Sequence, residues 1–488
     1  MLAGLVVSCA VGPDFSRPPA PAVTRYTSDA DPVETAPAQG VPQHFHPGAE
    51  CAADWWRLFK SPPLQAIVGE ALLHNPGLEA ARASLRQSED SLRSGYGIFY
   101  PQVALDASAT RQRYAPARIG LSTPGSLFNL FTLSATASYA LDVFGGQRRA
   151  IESLRSQVDM QRATERGTYL TLIANIVNTT VAAAAYRAEV AATSDLIDLE
   201  SQEVRLAEVQ ATAGTVPYST VLSLKSQLAS LRATIPQLQQ KLAQSEDLLA
   251  SLSGHVPAEW RAPPLSLADF ALPAELPVSL PSALVRQRPD ILIAESTAHA
   301  ASANVGVATA ALLPKLNLSG TYSASGMTTG TTFAQGGRSW SLGADVAQPL
   351  FAGGTLWFRR KAAIDSYQQA TALYRQTVLN AFAQVADVLR ALDHDAATLA
   401  AQDEALQTAA DALHLVHTNY EAGLNNYLDV LNADAQYHQA MIADLEATAA
   451  RLQDTVALYV ALGGGWWSTP EEHAGEARLS DTSSPSRY

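Results

Sequence analysis

Charge is what this chain has least of. Asp, Glu, Lys and Arg make up 16% of its 488 residues, against roughly 25% in ordinary soluble domains. Basic residues are the scarcer kind, 33 against 46 acidic ones, for a formal net charge of −13. With no basic stripe in so acidic a chain, nucleic acid is excluded as an electrostatic partner. Two cysteines, Cys9 and Cys51, permit at most one disulfide. Beyond the first few residues no run of about 18 apolar residues occurs, so a spanning helix is not expected. A chain of this kind crosses a bilayer only as a closed barrel, since helices and barrels alone satisfy their backbone polar groups there. P-loop, HExxH and GxSxG patterns are missing too, which leaves an enzyme reading without a constellation. His414 and His417 lie three apart near Asp411, and His44 and His46 lie near the start. Neither pair has a convergent third ligand, so both are read as solvated residues and no metal or cofactor is expected.

What is present begins at the amino terminus. Residues 1–8 form a short apolar stretch in which Val6, Val7 and Ser8 precede Cys9. This pattern is that of a bacterial lipobox, here without a basic n-region. Residues 1–8 then read as a signal-peptide remnant, with Cys9 as the lipidated first mature residue. Multiple acyl chains anchor firmly, at about 0.8 kcal/mol per buried CH₂. Ala10, not Asp, follows the cysteine, which in lipoproteins of this kind implies sorting to the outer membrane. Residues 9–60 are Pro-rich at first and read as an extended strap, because proline bars both helix and ladder pairing. If Cys9 is acylated, Cys51 has no partner and is a structural or incidental thiol.

The rest of the chain is a duplication. Ala213-Gly214 leads to Tyr218 and Val221-Leu222, as Ala422-Gly423 leads to Tyr427 and Val430-Leu431. Phe144-Gly145-Gly146 is echoed by Phe351-Ala352-Gly353-Gly354, and Tyr100-Pro101 by Leu313-Pro314. Asn75-Pro76 is loosely matched by Arg288-Pro289. Four pairs in the same order define two units, 61–270 and 271–467, followed by a polar tail, 468–488, expected to be disordered.

Each unit reads the same way. A helix spans about Leu64–Phe99 in the first and Ser282–Leu312 in the second. Alternating segments follow, with Val103, Leu105, Ala107 and Ala109 answered by Leu133, Ala135, Ala137 and Tyr139. In the second unit Leu316, Leu318, Gly320, Tyr322 and Ala324 are answered by Trp340, Leu342, Ala344 and Val346. Period-two patterning over about ten residues is the mark of a barrel strand. Four strands cannot close a barrel, so several chains must share one. Proline-free helices over 146–212 and 354–420 would each be about 100 Å long at 1.5 Å per residue. Return helices carry seams at Leu224, Leu228, Leu231, Ile235, Leu238 and Leu242, and at Leu445, Ala449, Leu452, Val456 and Tyr459. Pro236 is expected to interrupt or kink the first. A lipid-anchored periplasmic coiled-coil adaptor or spacer would share the helices but has no use for the alternating hairpins.

At this point the chain resembles the TolC-like outer-membrane factors, more closely their NodT-type lipoprotein branch. The resemblance rests on Cys9-Ala10-Val11-Gly12-Pro13-Asp14, Trp56-Arg57-Leu58-Phe59, Leu141-Asp142-Val143-Phe144-Gly145, Arg288-Pro289-Asp290-Ile291, Tyr420-Glu421-Ala422-Gly423 and Ala461-Leu462-Gly463-Gly464-Gly465-Trp466, in order over nearly the whole chain. It implies a mixed α and β membrane protein: a homotrimer with a 12-stranded transmembrane β-barrel, four strands per chain, continued by a long periplasmic α-helical barrel. The implied partners are outer-membrane lipid, a periplasmic adaptor protein and an inner-membrane pump of the resistance-nodulation-division type. Family channels close at the periplasmic tip of the second half. The resemblance places the pore gate at Asn425, Leu428, Asp429 and Asn432, with Asp434 as a substitute acid where Asn432 departs from the family pattern. A ring of Asp429 side chains would favour cations. On its residues alone, Asp429 also reads as a solvated helix-start acid. Gly214 and Gly423 read as helix C-caps, and the family places adaptor contacts at these two turns.

Overall fold

The computed structural model describes residues 10–29, 31–38, 42–115, 120 and 124–468. The signal remnant, Cys9 and the tail beyond Ser468 lie outside the described residues. A short strand, β1 (His44–Pro47), precedes two runs of the same element order. The first is α1 (Pro62–His74), α2 (Pro76–Gly95), β2 (Gln102–Tyr114), β3 (Ser126–Leu141), α3 (Gly146–Thr212) and α4 (Tyr218–Leu252). After β4 (Glu275–Val278) come α5 (Pro281–Gln287), α6 (Pro289–Ala310), β5 (Lys315–Gly326), β6 (Arg338–Ala347), α7 (Thr355–Glu421) and α8 (Tyr427–Ala461). The two long helices are each 67 residues and the two return helices each 35.

Both halves break their opening helix by one device. A residue before proline is pushed out of the α region. Asn75 therefore stands at φ −68°, ψ 118° before Pro76, and Arg288 at φ −72°, ψ 127° before Pro289. The continuous first helices expected from periodicity are thus pairs. Asn75 Oδ1 accepts from the Leu78 amide at 3.0 Å, capping the new helix. Pro236 does not break α4, which continues through it. An 18-residue stretch of α3 is apolar enough to cross a bilayer by composition, but 61% of it is buried within the protein. Its apolarity is used in packing.

The chain forms two compact units, and each draws on both sequence repeats. The first comprises the described residues within 10–18, 84–161 and 293–375. It holds the four-stranded antiparallel sheet β2-β3-β5-β6. Here the strap is docked by Arg149, whose side chain is 6% exposed. Arg149 pairs with Asp14 at 2.5 Å and Glu152 at 2.7 Å. Gly12 lies so close to Gly306 that a Cβ on it would fall 2.4 Å from the Gly306 Cα.

The second unit comprises the described residues within 19–83, 162–292 and 376–468. Trp55, fully buried, stacks on Tyr459 at 5.1 Å in its core. The strap is not wholly unpaired, as its prolines suggest: β1 pairs in parallel with β4. Phe45, 4% exposed, anchors it, and buried Gln43 donates to the Pro273 carbonyl at 2.9 Å. Cys51 is a buried free thiol, pushed up to about 12 by desolvation, which suits a packing role and not a reactive one. Arg288 donates to Asp290 Oδ2 and Gln384 Oε1, each at 2.7 Å, and to the Ala461 carbonyl at 2.8 Å. Arg288→Ala empties a buried position and leaves the carbonyl of buried Ala461 without this donor. It should lower stability by about 2 kcal/mol, read as a reduced thermal midpoint of the detergent-solubilised protein by circular dichroism.

Candidate functional site

Residues paired across a sheet share a face, so register decides which side chains lie together. One row runs Leu105–Ala135–Tyr322–Trp340 and the next Val103–Ala137–Gly320–Leu342. Beyond them lie Tyr139–Leu318–Ala344 and Leu141–Leu316–Val346. The alternate rows are polar: Asp106–Ser134–Ser323–Ser339 and Ala104–Thr136–Thr321–Ser341. The apolar face is bare, with Leu105 and Trp340 each 72% exposed, Val103 75% and Leu342 80%. Contiguous apolar surface on this scale needs a non-aqueous neighbour. Gly320 makes room in the sheet, since a Cβ there would meet Leu342 Cδ2 at 3.0 Å. The outer strands β2 and β6 each have a neighbour on one side only, so the described sheet has two open edges.

In the second unit the two helix–turn–helix tips are built alike. Gly214 takes φ +79° and Gly423 φ +74°, the left-handed conformation that glycine adopts without strain. Amides of Gly214 and Thr215 donate to the carbonyls of Ala211 and Gln210 at 3.1 and 2.9 Å. Gly423 and Leu424 donate to Tyr420 and Asn419 at 2.9 and 2.8 Å. Both are Schellman C-caps, the geometry expected of the Ala-Gly pairs.

The helix starts differ. Pro217 precedes α4, whereas Asn426 caps α8. Asn426 Oδ1 accepts from the Asp429 amide at 3.1 Å, and Asp429 Oδ2 from the Asn426 amide at 3.2 Å. This is a capping box with Asp in the third position. Asp429 therefore fills the helix-start role. Leu428, 61% exposed, and Asn432 remain on the surface, and Asn425 is half-buried.

Asp434 does not join them. It is fully buried, so this chain presents no Asp434 surface to a pore. Position 434 lies on the buried face of α8 with Val430, Leu431 and Ala433. Its surroundings are acidic. Glu200, 2% exposed, and Glu203, 9% exposed, face it from α3. The Tyr427 hydroxyl donates to Glu203 Oε2, and Gln227 donates to Glu200 Oε1 at 2.9 Å. His417 of α7 lies 3.9 Å from Glu203. Both Asp434 oxygens and Glu200 Oε2 have no hydrogen-bond partner. Burial first, then repulsion from Glu203 and Glu200, pushes the Asp434 carboxyl up to about 7, against an opposing pull from His417. Burial also raises Glu200 and lowers His438. A cavity of about 200 Å³ opens beside them, lined by Asp434, Tyr437, His438, Leu196, Leu413 and Met441. Periodicity could mark position 434 as core-facing but could not place Glu200 and Glu203 opposite it. His417 also lies 3.7 Å from Glu421, and His44 and His46 each face a carboxylate, Glu34 and Glu275.

A duplicated chain with two matched helical tips and a sheet bearing one bare apolar face defines a class, the channel proteins of the outer membrane. The model of one family, outer membrane efflux protein, matches residues 67–255 and 280–464, and the chain belongs to that family. It is 31% identical over 422 residues to the pyoverdine export outer membrane protein OpmQ of Pseudomonas aeruginosa, covering 85% of this chain and 88% of that one. It is 28% identical over 482 residues to the toluene efflux pump outer membrane protein TtgC of Pseudomonas putida, covering 96% and 94%. Among solved structures, the outer-membrane channel OprN superposes with a TM-score of 0.85 at 26% identity, covering 94% of this chain and all of that one.

The buried acid makes tip stability depend on pH. A carboxyl whose folded value is raised weakens the fold as pH climbs from its unfolded value near 4 through about 7. Asp434→Asn should raise the thermal midpoint at pH 8, by a stabilisation on the order of 1–3 kcal/mol, and change little at pH 4.5. Melting curves at the two values check this; equal effects at both would mean that folding does not shift the Asp434 carboxyl.

Proposed function

We propose that three copies of this chain close a 12-stranded barrel in the outer membrane, each contributing β2, β3, β5 and β6, with the long helices forming a periplasmic α-helical barrel. The observation that carries this reading is the sheet: a bare apolar face plus two open edges, which satisfies neither lipid nor backbone hydrogen bonding until neighbours pair with it. Pairing β2 of one copy with β6 of the next removes both edges. A soluble adaptor or spacer gives such a face nothing to cover it. The duct conducts small molecules passively from an inner-membrane pump of the resistance-nodulation-division type through a periplasmic adaptor, and uses no energy of its own. Relatives named for pyoverdine export and toluene efflux fit this place in a tripartite machine. The pump, another chain, selects the cargo.

Cys9 carries the lipid. The docking of Asp14 on Arg149 supports this by fixing the segment just after the anchor. The tip turns at Gly214 and Gly423 meet the adaptor, and Leu428, Asp429 and Asn432 line the closing pore, with Asn425 beside them. Leu428 supplies an apolar constriction, and the Asp429 carboxylates of three copies form a ring that favours cations. Asn432, uncharged, weakens that ring.

Negative-stain imaging of the detergent-purified protein tests the assembly: a three-fold particle with a hollow stalk is expected, and a monomeric rod would sink the reading. Asp429→Ala should reduce cation preference in planar-bilayer recordings, seen as a smaller reversal potential under a salt gradient. An unchanged potential removes Asp429 from the pore. Cys9→Ser should end palmitate labelling while leaving trimers assembled.

A further inference from the structure

Among the described residues, one cluster of ligating side chains uses no residue of the sheet or of the tip turns. Glu70 and His74 stand four residues apart in the last turns of α1, hence on one face of the helix. The turn after α4 brings His255 to them. Glu70 Oε1 lies 3.2 Å from His74 Nδ1 and 3.0 Å from His255 Nε2, and one ligand atom from each residue falls within 4.8 Å of the others.

The backbone around the cluster is fixed. Gly254 takes φ +81°, and a Cβ there would fall 2.2 Å from the His74 carbonyl oxygen, so the turn presses directly on the end of α1. Asn75 Nδ2 donates to the Leu252 carbonyl at 2.8 Å, tying the same two segments. The His255 ring stacks on Trp260 at 5.7 Å and 10°. Helix, turn and stacked ring thus hold the three donors in place before any ligand arrives.

We propose that Glu70, His74 and His255 bind a divalent transition-metal ion, with zinc and copper(II) as the ions of matching chemistry. Two imidazoles and one carboxylate are the donor set of open, three-ligand sites, which leave a position for water. Ligand atoms around such an ion at 2.0–2.2 Å sit about 3.4 Å apart, close to the two separations present. His74 Nδ1 also lies 3.1 Å from the Glu70 backbone carbonyl oxygen. A bound ion takes the place of the protons now shared among these groups. Because the ligands come from α1 and from the turn after α4, the ion is a cross-link between segments about 180 residues apart in sequence.

The test uses full-length protein in detergent, stripped with chelator. Calorimetric titration with Zn²⁺ should show about one ion per chain, with micromolar or tighter affinity. His74→Ala and His255→Ala should each weaken binding by about tenfold or more, and together abolish it. Zn²⁺ should raise the thermal midpoint of the wild type and not of the double variant, a readout that also checks that the variant folds. With Cu²⁺, electron paramagnetic resonance should show coupling to two nitrogens. His417→Ala should change nothing. No saturable binding below about 1 mM, binding that survives the double substitution, or loss of binding in His417→Ala would each overturn the proposal.

Discussion

An unpaired strand edge cannot be left in hydrocarbon. Each backbone N–H or C=O there without a partner costs several kcal/mol, and the sheet of this chain has two such edges beside a face made of Val103, Leu105, Tyr322, Trp340 and Leu342. No rearrangement within four strands removes both edges, because a ring that small has no interior to pack. In the assembly proposed above, the cost is met between chains. The other features of the first unit, from the residue alternation to the room Gly320 leaves for Leu342, are consistent with a sheet built to be completed from outside.

Most of this architecture was legible because two periods, 2 and 3.6, were written over long stretches. The alternating segments are strands, and α3 begins and ends at the residues read from the sequence, Gly146 and Thr212. Gly214 and Gly423 are the C-caps their Ala-Gly context implied. Short-range pattern failed where long-range contact decides. β1 is four residues ending in proline and owes its existence to β4, some 230 residues away. Asn75 and Arg288 break helices through the proline that follows, an effect periodicity does not register. The family resemblance offered Asp434 as a substitute acid at the gate; its burial follows from the helix face it shares with Val430 and Leu431. Glu70 and His74 show helical spacing in the sequence, but nothing local announces His255.

The duplication has kept geometry and let chemistry diverge. Both tips use one turn, down to the same two hydrogen bonds. Yet Tyr218 is 63% exposed, whereas its counterpart Tyr427 is half-buried and donates to Glu203. The second tip has gained a capping box and a buried acid, Asp434, neither of whose oxygens has a hydrogen-bond partner, around a scaffold the first tip shares. A structural repeat is thus a poor guide to where the working residues lie, since identical backbones host unlike side chains.

The equality of the helices, 67 with 67 and 35 with 35, has a consequence for how such a chain can change over time. One inserted residue turns everything beyond it by about 100° and advances it by about 1.5 Å, which would carry seam residues out of their packing. Single-residue insertions in α3, α4, α7 or α8 are therefore selected against. Length variation among descendants of this sequence should come in whole heptads, matched in both halves, or be confined to the hairpin loops.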